Sequence, residues 1–172
     1  MKKFLVFMCI LFLMFSVSAT VQDTKNVTLA VVVPQVYELK ISDASATTVS
    51  GFNTADAVSD VVFEYGEYDS DVMYALIKTN DPGAVFVALT LVNLKSAGKS
   101  TEIGYEIWVD DALLGTSDTA GVVKTMVTAD VFAGNGLRVV SVPFYVRLVD
   151  DDVWNAMVAT YTANIAFTLQ SP

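Results

Sequence analysis

The residues best suited to chemistry in this chain are carboxylates. Asp69-Ser70-Asp71, Asp110-Asp111 and Asp150-Asp151-Asp152 each group side-chain oxygens, the donor type that calcium takes. None follows the regular acidic loop with its central glycine and closing glutamate. No metal site is assigned, and these runs read as solvated loop charge. Paired carboxylates also hydrolyse glycosides at a fixed separation, but no spacing here singles out a pair. The chain has no histidine, and its one cysteine, Cys9, lies in a segment expected to be removed. The commonest general base and the strongest nucleophile are therefore missing from the mature chain. No catalytic residue and no cofactor is expected. Trp108, Trp154 and Tyr161 offer ring faces that would stack on a sugar, although rings in a β-rich chain more often serve the core. Asn26-Val27-Thr28 fits the N-glycosylation pattern, a match short enough to arise by chance.

The first 19 residues read as a secretory signal peptide. Lys2 and Lys3 form a basic start, residues 4–15 an apolar run, and Val17-Ser18-Ala19 a small-residue cleavage site. The apolar run is shorter than the roughly 20 residues that a membrane span needs. N-terminal sequencing of the mature protein is expected to begin at Thr20, and a product retaining Lys2 and Lys3 would refute this. Cleavage leaves 8 basic against 19 acidic residues, a net charge of −11. That charge repels nucleic acid and anionic membrane surfaces. No other apolar run is long enough to insert the mature chain into a membrane. About 150 residues bury a sufficient core without a disulfide.

The elements that must position these residues read mostly as short strands. Residues 36–41 are strand-like, with Tyr37, Leu39 and Ile41 on one face. Residues 42–60 read mostly as loop, 61–65 as a short strand, and 73–79 as another strand. Asn80-Asp81-Pro82-Gly83 has turn chemistry. Residues 84–94 are apolar on both faces, as in a central strand. Residues 102–109 alternate, with Ile103, Tyr105, Ile107 and Val109 inward. Residues 110–121 read as loop, 122–132 as either strand or short helix, and Asn135-Gly136 as a tight turn. In residues 137–149, Val140, Val142, Phe144, Val146 and Leu148 line one face. Residues 150–155 read as a charged loop. A last strand, 161–170, carries Tyr161, Ala163, Ile165, Phe167 and Leu169 on one side. Many short strands, frequent turns and no sustained helical period predict an all-β antiparallel sandwich.

Near the mature N-terminus, Asn26-Val27-Thr28-Leu29-Ala30-Val31-Val32-Val33-Pro34 is one more strand pattern. Val27, Leu29, Val31 and Val33 share a face, and Pro34 closes the strand because it has no N–H for a ladder. Such a strand must complete a sheet. Two readings stand: it opens this chain's own sandwich, or it completes a neighbour's.

Lys25 to Pro34 in this stretch resembles the mature N-terminus of class 5 fimbrial major pilins, the alternate chaperone–usher, colonization-factor type. The similarity continues through residues 36–41 and at Lys78-Thr79-Asn80-Asp81. It returns in Ala159-Thr160-Tyr161-Thr162-Ala163-Asn164-Ile165-Ala166-Phe167-Thr168-Leu169, which is similar to the family's last strand. Ala159 stands where these pilins usually carry glycine, and residues 95–132 show little likeness. The family similarly lacks the disulfide of ordinary chaperone–usher pilins.

The resemblance implies an immunoglobulin-like sandwich that is incomplete and is completed by a donor strand. Residues 20–34 would be the donor extension and 35–172 the pilin-like domain. Val27, Leu29, Val31 and Val33 would fill a neighbour's groove by strand addition. Tyr161, Ala163, Ile165, Phe167 and Leu169 would form the acceptor and chaperone-pairing strand. The implied partners are other copies or sibling pilins, a periplasmic chaperone and an outer-membrane usher, and the implied destination is a surface fimbria that supports adhesion. Burying the four donor side chains would contribute at most about 6–12 kcal/mol. The competing function is a free-standing secreted β-sandwich that binds carbohydrate or another surface ligand.

Overall fold

The computed structural model describes residues 30–64, 66–81, 85–127 and 136–170. The chain divides into two units, Met1–Val33 and Pro34–Pro172. In the first unit the described residues 30–33 form no strand, and Val31, Val32 and Val33 are 86, 89 and 73% exposed. The signal segment 1–19 and the donor positions Val27 and Leu29 lie outside the described residues.

The second unit is all-β with two short helices among its described residues. Its strands are β1 (Tyr37–Ser42), β2 (Met73–Thr79), β3 (Phe86–Leu91), β4 (Tyr105–Val109), β5 (Ala112–Thr116), β6 (Val122–Val127), β7 (Arg138–Leu148) and β8 (Ala166–Gln170). Helix α1 (Val49–Thr54) follows β1, and α2 (Asp150–Asn155) follows β7. The strands form two antiparallel sheets, ordered β1-β2-β7-β4-β5 and β6-β3-β8. The inward residues of both sheets meet in one core. From β2 come Met73, Ala75 and Ile77, from β3 Val87, Leu89 and Leu91, and from β4 Tyr105 and Ile107. The Tyr105 hydroxyl, sunk in that core, accepts the Val92 N–H at 3.2 Å.

Strand β7 organises the larger sheet. Val140, Val142, Phe144, Val146 and Leu148 are buried, while the intervening residues are half-exposed, the alternation expected of them. It pairs with β2 over residues 138–144 and with β4 over 144–148. Pro143 interrupts neither ladder. The Val149 N–H points to β4, donating to Gly104 O, so the odd positions of β7 face that side. At Pro143, β4 has already ended, so no ladder bond is lost.

Four stretches differ from expectation. Residues 42–60 contain α1, whose Thr48 hydroxyl accepts the Gly51 N–H at 3.1 Å as an N-cap. Phe52 of α1 packs with Ala46, Leu76 and Val139 on the outer face of the sheet, so β2 is buried on both faces. Gly51 permits this close approach, since a Cβ there would stand 3.2 Å from Ala46 Cβ. Residues 61–64 form no strand, and Val61 and Val62 are exposed because no neighbouring strand covers them; Tyr65 lies outside the described residues. The expected loop 110–121 contains β5. Asp110 and Asp111 have φ of 48 and 61° and make the two-residue turn of a β4–β5 hairpin. The expected loop 150–155 is α2, with Asp150, Asp151 and Asp152 in its first turn, where the helix dipole favours them. The ambiguous stretch resolves to strand at β6, and residues 128–135 lie outside the described residues.

Candidate functional site: an open sheet edge

Strands β1 and β8 are the outer strands of the two sheets on the same side of the sandwich. Inward side chains in the middle of the sandwich are buried. Here they are not. Tyr161, Ala163, Ile165, Phe167 and Leu169 all face the core yet stay half-exposed, and so do Tyr37, Leu39 and Ile41 across from them. These five positions therefore share the one face expected of them. The regular strand is shorter than expected, 166–170, and Thr162 meets Lys95 in a separate bridge before it. The register drifts by one residue between Thr162↔Lys95 and Ala166↔Thr90, which breaks the ladder in between.

Backbone pairing is equally one-sided. β8 pairs with β3 from Ala166↔Thr90 to Gln170↔Phe86, and among the described residues its other edge receives no strand. The outer edge of β1 is partly covered, since the Val58 N–H donates to Ile41 O at 2.9 Å. Phe167 leans on buried Phe144 with ring centroids 5.5 Å apart and planes at 51°. The Tyr161 hydroxyl is buried and has no hydrogen-bond partner among the described residues. An apolar row beside an unpaired edge is the arrangement that strand addition uses.

The chemistry-bearing residues are dispersed instead. Trp108 lies on the outer face of β4, stacked on Tyr145 of β7 at 6.1 Å and 8°, with its Nε1–H donating to Glu106 at 2.9 Å. The Arg147 guanidinium sits over both rings and is gripped by Asp69, Nε to Oδ1 at 2.6 Å. Trp154 is exposed on α2, so neither tryptophan is core, and only Tyr161 of the three packs against it. The acidic runs are employed locally. Asp69 holds Arg147, Asp110 and Asp111 make a turn, and Asp152 accepts the Gly104 N–H at 2.8 Å. Among the described residues no three carboxylates gather into a group that could hold a metal ion. An open cleft of about 350 Å³ lies among Asp43, Val58, Val61, Asp71 and Met73, at the far end of β1.

Sequence reading overlooked a polar network at the end of β3. Glu102 accepts from the Thr119 hydroxyl at 2.8 Å, pairs with Lys95 at 3.0 Å and takes the Asn93 amide at 3.3 Å. These partners, Thr119 foremost, hold the Glu102 carboxyl below its ordinary range. A carboxyl lowered on folding stabilises fully above its unfolded pKa of about 4.3 and loses that contribution as pH falls through the folded value. Glu102→Gln is therefore expected to lower thermal stability slightly at pH 7 and to flatten its loss between about pH 5 and 3, so that the two chains converge in acid. Identical acid profiles for the two chains would refute the network. The effect is small, because the group is partly solvated.

Among the described residues no helix is long and apolar enough to cross a membrane. No protein-family model matches the chain, and no curated protein matches it.

Proposed function

We propose that this chain is a secreted structural pilin of class 5 fimbriae, an incomplete immunoglobulin-like sandwich that polymerises by donor-strand complementation and supports adhesion. In this reading Val27, Leu29, Val31 and Val33 of one copy enter the groove beside β8 of the next. A periplasmic chaperone holds that edge until an outer-membrane usher admits the incoming subunit. One observation carries the reading: the inward row from Tyr161 to Leu169 is half-exposed beside the edge that β8 leaves unpaired, while Val31 to Val33 stand exposed. A chain with an unfilled apolar groove and an uncommitted apolar segment satisfies both by exchange between copies. The contact is heterologous and does not close on itself, so it builds a filament.

Purified mature protein is expected to run as a ladder of stable multimers in size-exclusion chromatography and on unheated gels. A monodisperse, heat-stable monomer would overturn the proposal and favour a free-standing binding module.

A further inference from the structure

Helix α2 is anchored by one side only. Val153 and Ala156 pack against the core, and Asp152 ties the helix to the Gly104 N–H. That anchoring turns Trp154 outward, 72% exposed, and Met157 and Val158 follow at 52 and 102%. Scattered apolar residues are ordinary on a surface, but three large ones within five positions make a patch. The chain then runs directly into Tyr161, so the patch borders the first residue of the acceptor row.

We propose that residues 154–158 dock the folded unit of the same copy whose residues 27–33 fill the groove, an inference that rests on the donor-strand reading above. The argument is one of direction. Every named strand pair in both sheets is antiparallel, and antiparallel ladders are the more stable per residue. A donor laid antiparallel on residues 161–169 with Val27 opposite Leu169 has Val33 opposite Ala163. Pro34, where the donor copy's folded unit begins, then emerges beside Thr162, next to residues 154–160.

The donor copy brings a defined surface to that point. Pro34 O accepts from Asn80 Nδ2 at 2.7 Å, which fixes it to the end of the sandwich where β2 stops. Arg138 pairs with Thr79 at that end, and Leu137 beside it is an exposed large apolar residue. The occupant is thus a second copy of this chain, with Pro34 and Leu137 meeting Trp154, Met157 and Val158. The joint between subunits is held at two places, the groove and the patch, so the filament is stiff rather than hinged at Pro34.

Tryptophan emission tests this on the full mature chain. Wild-type polymer is compared with the Leu29→Asp chain, which cannot donate and so supplies monomer; Trp154→Phe separates the Trp154 signal from that of Trp108. Trp154 emission is expected to move to shorter wavelength on polymerisation. The double variant Trp154→Ser, Met157→Ser is expected to melt like wild type as monomer and to speed polymer breakdown in denaturant about tenfold. Unmoved Trp154 emission, or breakdown at the wild-type rate, would overturn the docking while leaving donor exchange intact. If Leu29→Asp chains still polymerise, the donor reading fails and the docking fails with it.

Discussion

Leu29→Asp is expected to abolish assembly while leaving the fold intact. The core of the second unit is assembled from β2, β3, β4 and β7, all far along the chain from residue 29. In the donor reading residue 29 belongs to no part of its own sandwich, so the isolated variant should melt within about 0.5 kcal/mol of wild type. In a neighbour's groove the same carboxylate would lie among Leu39, Ile165 and Phe167 without a partner, and burying an unpaired charge is costly enough to drive the strand out. The variant still accepts a wild-type donor, because its own β8 is untouched. Mixed with wild type, it caps growing chains, and mean polymer length should fall as its share rises. A synthetic peptide of residues 20–34 should stabilise the variant monomer by about 2.7 kcal/mol at a hundredfold excess over Kd, read as a higher melting temperature. If Leu29→Asp instead unfolds the isolated chain and no peptide rescues it, the strand belongs to its own sandwich.

What could be read from the sequence depended on how each element is buried. β7 was legible nearly to the residue, because a strand with one buried face writes its alternation into its side chains, as Val140 to Leu148 do; β2, buried on both faces, was bounded instead by the turn chemistry of Asn80-Asp81-Pro82-Gly83. α1 was not legible. It has six residues, one buried side chain and a glycine in its middle, so no helical period has room to develop. β5 was hidden by its turn. Asp110-Asp111 looks like loop acid, yet aspartate tolerates positive φ and can close a hairpin where glycine is usual. The stretch 61–64 erred the other way, since β-branched residues favour a strand only where a neighbour pairs with it.

The candidate site was legible in parity and silent in extent. The alternation of Tyr161 to Leu169 assigned the inward face correctly, because period two depends only on the chain itself. That the row is only half-covered depends on which strands lie beside β8, a long-range fact that local pattern does not carry. The rings misled for a related reason. Trp108 belongs to a surface cluster with Tyr145 and Arg147, which strand pairing brings together from positions 37 and 39 residues further along the chain.

Phe144 and Phe167 measure how complete the sandwich is. Phe144 is 2% exposed, so Phe144→Ala removes a fully buried ring and is expected to cost about 3–5 kcal/mol, a large share of a total of roughly 5–15. Phe167 touches it but is half-exposed in the isolated chain, and Phe167→Ala should cost only about 1–2 kcal/mol there. Thr168 faces away and is exposed, so Thr168→Ala should fall within about 0.5 kcal/mol. Denaturant unfolding of the Leu29→Asp chain carrying each change gives these values for the empty groove. Repeating the series with saturating 20–34 peptide is decisive, because a donor strand over β8 completes the burial of Phe167 and of nothing around Phe144. The cost of Phe167→Ala should then rise toward that of Phe144→Ala, while the other two stay fixed. Equal costs at Phe167 and Thr168 would mean that β8 is misregistered by one residue. A Phe167 cost indifferent to the peptide would mean that the donor, if it binds, binds elsewhere.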